Sequence, residues 1–139
     1  MNNHQIHHIR TIAQQHPSIL AVYLYGSKAS GTASPLSDTD LGIIMFEPFA
    51  DRNKQLEFEL DMEEQFSKLL PGEKLDIRVI NNAPILVKGK IITEGKCLYT
   101  ANEIKLSDFK ENVILRYLDF KIDYDPMLEE YYRDQLNER

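Results

Sequence analysis

The chain has 139 residues, 42% of them hydrophobic, and carries a formal net charge of −6 with a pI near 5.2. That length fits one domain with a proper core, expected to span 1–139, and the acidic balance argues against direct nucleic-acid binding, which draws its affinity from clustered Lys and Arg. The lone Cys97 excludes an intramolecular disulfide and cannot by itself supply a zinc site; the longest strongly apolar run, Ile19 to Tyr25, is far short of a membrane span, so the cytoplasm is the expected location.

Along the chain, Ile6, Ile9, Ile12 and Ala13 recur at helical spacing between Asn2 and His16, and His16-Pro17 stops that helix. His4, His7 and His8 lie on it without a nearby carboxylate or cysteine, which reads as a solvated face rather than a metal cluster. Ile19 to Tyr25 is a buried strand. Lys28 to Leu36 is small and polar, long enough for a short helix and a turn, and Leu41 to Phe46 is the second strand. Asp51 to Leu70 reads as an amphipathic crossover helix with Leu56, Leu60, Phe66 and Leu70 as its apolar stripe, ended by Pro71-Gly72. A third strand surrounds Asp76, a helix runs from Ile85 to Thr93 with Pro84 in its first turn and Gly95 as its stop, and Lys96 to Thr100 forms an edge strand. The core is thus expected over about 1–100, followed by a helical segment over about 103–139. In that segment Val113, Tyr117, Phe120, Tyr124, Met127 and Tyr131 recur at steps of four and three, interrupted by Asp125-Pro126; the stripe is either core or a docking surface.

The chemistry concentrates in Gly26-Ser27, a spacer of ten residues, and Asp38-Thr39-Asp40, set between the first two strands. A glycine at the end of a buried strand lets backbone N–H groups approach a phosphate, and the Ser27 hydroxyl adds a donor. Asp38 and Asp40, at i and i+2 of a strand, project from one face and can converge on hard cations. Mg²⁺ suits such a site because it prefers a few carboxylates plus waters and substrate phosphates.

This arrangement resembles the signature of the DNA polymerase β nucleotidyltransferase superfamily: Gly-Ser, ten residues, Asp-x-Asp, met here without gap or insertion. The resemblance implies an α+β fold, a small mixed sheet flanked by helices, and a third carboxylate from a later strand, for which Asp76 is the one acid in the run Leu75 to Ile80. Asp38, Asp40 and Asp76 would then be catalytic and metal-binding, holding two Mg²⁺ ions, with Gly26 and Ser27 on the departing phosphates and Lys28 or Ser30 as auxiliary nucleotide contacts. Lys28 and Ser30 depart from the Gly-Ser-Arg-x-Arg-Gly run of many relatives, which costs the bidentate grip of arginine on phosphate.

The short length and the lack of an acceptor-binding domain further resemble the minimal nucleotidyltransferases, the MNT antitoxins of HEPN/MNT toxin–antitoxin pairs. For that group the resemblance implies transfer of AMP from ATP to a tyrosine of a HEPN ribonuclease toxin, so the expected partners are a HEPN-type toxin and ATP, with no membrane and no direct nucleic acid. The alternatives are a non-catalytic antitoxin that acts by contact, and a small-molecule nucleotidyltransferase with a separate substrate-binding subunit.

Overall fold

The structure, a computed structural model, describes residues 1–31, 37–122, 130 and 133–134. Tyr124, Asp125-Pro126, Met127 and Tyr131 of the C-terminal stripe, and residues 32–36 of the motif spacer, lie outside the described residues.

Four strands form one mixed sheet in the order β3-β2-β1-β4: β1 (Ile19–Tyr25), β2 (Thr39–Met45), β3 (Leu75–Val79) and β4 (Lys96–Thr100). β1 pairs antiparallel with both β2 and β4, whereas β2 and β3 run parallel, which requires the long crossover helix between them. Every residue of β1 is buried, as its unbroken apolar sequence demands of a central strand covered on both faces. One face packs on α1 (Asn3–Gln14) and α3 (Arg52–Leu69), with Ile9, Val22, Leu41, Ile43, Met62 and Phe66 at its centre. The other face, with Tyr23, Tyr25, Ile44 and Ile80, packs on α4 (Ile85–Glu94) and α5 (Glu103–Ile122).

Local chemistry sets the element ends. Asn2 and Gln5 form a reciprocal capping box at the start of α1, and Asp51 caps α3 by accepting from the Asn53 N–H. β3 is an edge strand, and Glu59 of α3 reaches across to accept its Val79 N–H at 2.8 Å.

The buried face of α3 differs from the expected stripe. Met62 and Phe66 are in the core, Phe58 packs against it, and Leu70 is buried just beyond the helix; Leu56 and Leu60 are 52% and 57% exposed. The reason is rotational, because 58, 62 and 66 step by four around the helix, whereas the step of six from 60 to 66 turns Leu60 about 120° away. In the C-terminal stripe, Val113 and Tyr117 are core, with Tyr117 lying so tightly on Gly89 of α4 that a Cβ there would collide with its ring. Among the described residues no helix is long and apolar enough to cross a membrane.

Candidate active site

Tyr25, the last residue of β1, pairs with Asp40 in β2, and Asp40 pairs with Asp76 in β3. The sheet therefore brings together two carboxylates distant in sequence at neighbouring positions of one face, beside a buried tyrosine. Asp40 responds to this crowding: burial first, then the charges of Asp76 and Asp38, raise its pKa from the ordinary 3.8 to about 6, and Arg78 only partly offsets them. Burial and the charges of Asp40 and Asp76 push the Tyr25 phenol far above its usual value, so it stays a neutral wall of the site.

The strand-to-helix turn closes over this pair. Gly26 adopts φ +73°, in the region that glycine enters freely, and its bare Cα stands against Asp40, where a Cβ would collide with the carboxylate oxygen Oδ2. It leads into α2 (Ser27–Ser30), whose first bonds run from the N–H groups of Ala29 and Ser30 to the Gly26 carbonyl. The N–H groups of Ser27 and Lys28 precede those bonds in the chain.

The remaining expected site residues occupy less convergent positions. The Asp38 carboxylate lies 3.7 Å from the ammonium of the well exposed Lys74, and Asp76 accepts from Arg78 Nε at 3.2 Å. Among the described residues no three His, Cys, Asp or Glu side chains stand close enough to hold a metal ion. Ser30 Oγ donates to the Ser27 carbonyl, and Lys28 Nζ is 3.0 Å from Glu73 Oε2 rather than directed at the turn.

The donor set nonetheless fits a hard divalent cation. Asp40 and Asp76 are paired by register, Asp38 raises the pKa of Asp40 by its charge, and the burial of like charges there is what a cation would relieve. The Lys74 contact that holds Asp38 is a surface pair of little strength.

Two residues beyond the expected set shape the site. Arg78 follows Asp76 at i+2 on the same face of β3, a placement that strand alternation makes readable in Asp76-Ile77-Arg78. Glu73 gathers Lys28 of α2, the hydroxyl of fully buried Thr39 at 2.8 Å and the Gln5 amide of α1 at 3.3 Å, and thus ties the turn and the Asp-Thr-Asp strand to the segment before β3. These hydrogen bonds, led by those from Lys28 and Thr39, hold the Glu73 pKa below its ordinary value. The only hint in the sequence is the Thr between the two aspartates, a hydroxyl that needs a partner when buried.

The matched relatives agree with this architecture. Residues 7–104 match the family model described as polymerase beta, nucleotidyltransferase. No curated protein matches the chain. Among solved structures, a chain of a toxin–antitoxin complex with AMP-PNP is 19% identical with a TM-score of 0.67, the match covering 95% of this chain and 99% of that one. A chain of the complex of tri-AMPylated HEPN toxin with MNT antitoxin from Shewanella oneidensis is 16% identical with a TM-score of 0.65, covering 92% and 96%. A chain of the toxin–antitoxin MntA-HepT is 14% identical with a TM-score of 0.59, covering 95% and 97%. At these identities the structures establish a shared fold, an α+β domain with a four-stranded mixed sheet flanked by helices. Because the family model spans most of the chain, from within α1 through all four strands and the Gly26 turn, this protein belongs to the polymerase beta nucleotidyltransferase family.

Proposed function

We propose that this nucleotidyltransferase transfers AMP from ATP to a hydroxyl of a protein partner, a tyrosine of a HEPN-type toxin, and so acts as an antitoxin. The observation that carries the catalytic part is the pairing of Asp40 with Asp76 beneath the Gly26 turn, with Asp40 pushed to about 6. The partner is suggested by relatives of the same fold seen with AMP-PNP and with an AMPylated HEPN toxin.

Bound Mg²⁺, two ions in this reading, supplies positive charge that neutralises the triphosphate and the attacking oxygen. Asp38, Asp40 and Asp76 hold that charge in place. The acceptor oxygen attacks the α-phosphorus, the bond to the β-phosphate breaks and pyrophosphate leaves, while Asp76 takes the hydroxyl proton. Gly26 keeps the approach clear, and the Ser27 hydroxyl and the N–H groups of Ser27 and Lys28 receive the departing phosphates. The partner brings its own acceptor hydroxyl.

The test is the intact mass of a HEPN-type toxin co-expressed with the native chain and with the Asp40→Asn, Asp76→Asn double variant. One or more adenylyl groups with the first and none with the second is the expected result. A non-catalytic, contact-only antitoxin is the second reading, favoured by the engagement of Lys28 with Glu73 and of Asp38 with Lys74. Neutralisation of the toxin by the double variant, with its mass unchanged, would select that reading.

A further inference from the structure

A second concentration of charge, opposite in sign, lies on the same sheet face at the other end of the strands. Lys88 of α4 is 9% exposed, which is rare for a lysine without a counter-ion. Its ammonium donates to the Asn81 carbonyl at 3.1 Å, and no carboxylate pairs with it among the described residues. Burial, together with the charge of Arg116 on α5, lowers its pKa. Lys88 and Arg116 both line an open cavity of about 520 Å³ between the end of β2 and helix α5, along with Lys105, whose ammonium sits 5.5 Å from the centre of the Phe46 ring.

Three cations against one acid, Asp108, line this cavity in a chain whose net charge is −6. A buried ammonium beside the charge of the exposed Arg116 is unfavourable alone and calls for an anion. The volume exceeds what a bare anion needs, and Phe46 and Phe109 offer flat apolar walls beside the cations. A dianionic phosphate suits an ammonium and a guanidinium that line one cavity from two helices, the guanidinium donating a bidentate pair of hydrogen bonds to its oxygens.

We propose that this cavity is a binding site for a small phosphate monoester with a planar or apolar body, separate from the carboxylate end of the sheet and independent of the reading given above. Lys88 and Arg116 hold the phosphate, Lys105 completes its charge, and the aromatic walls take the body of the molecule.

Calorimetric titration of the full chain with AMP in EDTA tests this, because without divalent cations the carboxylate end repels phosphate. The expected result is saturable binding, weakened about tenfold or more in each of Lys88→Met and Arg116→Gln, unchanged in Asp40→Asn, and absent with adenosine or succinate. Should Lys88→Met fail to fold, the exposed Arg116→Gln and Lys105→Gln decide the matter. No saturable binding by the native chain, undiminished binding in the cavity variants, loss in Asp40→Asn instead, or succinate binding as tightly as AMP would each overturn the assignment.

Discussion

The two ends of one sheet face stand in opposite electrostatic predicaments. Where β1 ends and β2 begins, Asp40 is raised to about 6 by burial and by two neighbouring acids; where β2 ends, Lys88 is lowered by burial and by a neighbouring arginine. Between them, about five residues of strand or on the order of 17 Å apart, lies a core of Tyr23, Ile44, Ile80, Val87, Ile91 and Val113 that contains no titratable conflict beyond a neutral phenol. The difference teaches where stability and function separate. The apolar middle holds the fold, and each charged end carries a cost that a ligand of opposite sign would remove.

The largest effect should come from the acidic end. Asp40→Asn and Asp76→Asn should each reduce transfer on the order of a thousandfold, measured as adenylyl incorporation into the partner. Stability should move the other way for Asp40→Asn. Because the folded pKa of about 6 lies above the ordinary 3.8, the folded state binds the extra proton between those values, so native stability falls as pH rises from about 4 to 6 and stays low above that. Asp40→Asn should therefore melt higher than the native chain at pH 7 to 8, with the gain vanishing below about pH 4. A variant that melts lower at pH 8 would mean that the carboxylates are not in conflict.

Gly26→Val comes next and should break the turn that follows β1 and stands against Asp40. It forces a β-branched residue to φ +73°, costing about 1–3 kcal/mol, and drives a Cβ into Asp40. Transfer should be lost and the melting temperature lowered, whereas Ser27→Ala should keep the fold and lose about tenfold in rate, since one hydroxyl is removed while the backbone donors remain. Kinetics with ATP varied would separate the two, and a harmless Gly26→Val would show that the turn does not approach phosphate.

Much of the acidic end was readable before the fold was known. Gly26 needed only its position after a buried strand, whereas Asp76 came from the family resemblance, as the one acid in its strand, and the parallel register of β2 and β3 sets it beside Asp40. Glu73 was not readable, because its partners Gln5, Lys28 and Thr39 are 68, 45 and 34 residues away and leave no local pattern; after Pro71-Gly72 it looks like any solvated turn acid. Lys88 was hidden in the same way, one of two lysines in the largely apolar run Ile85 to Thr93. The misreading of Leu56 and Leu60 has another origin, a hydrophobic count that ignored rotation around the helix. For the C-terminal stripe, Val113 and Tyr117 resolve as core, and Tyr124 and Tyr131 lie outside the described residues.

Glu73→Gln tests the knot behind the turn. It should destabilise the chain by about 1–2 kcal/mol at neutral pH by weakening the contacts to Lys28 and Thr39. The native carboxylate's depressed pKa contributes stability above its ordinary range of about 4 and loses it as pH falls through the folded value, so the variant and native melting curves should converge in acid. Equal destabilisation at pH 3 and pH 7 would mean that the charge of Glu73 does not matter.

The smallest expected effect sharpens the comparison most, because it should mirror Asp40→Asn in pH dependence. Lys88→Met replaces a buried ammonium with an unbranched apolar chain of similar length, removes its repulsion with Arg116 and gives up one hydrogen bond to the Asn81 carbonyl. The loss and the gain are of similar size, with a net stabilisation of about 1 kcal/mol expected without phosphate. In the native chain the folded state releases the Lys88 proton more readily than the unfolded one, so native stability rises as pH climbs from the folded pKa toward the ordinary lysine value of 10.5. The advantage of Lys88→Met should therefore be greatest near neutrality and shrink in alkali, where Asp40→Asn keeps its own advantage in full. Melting curves of both variants and the native chain from pH 4 to 10 would display the two slopes together. A Lys88→Met chain less stable than native at pH 7 would show that the Asn81 hydrogen bond outweighs the repulsion, and that the basic end is not under the strain found at the acidic one.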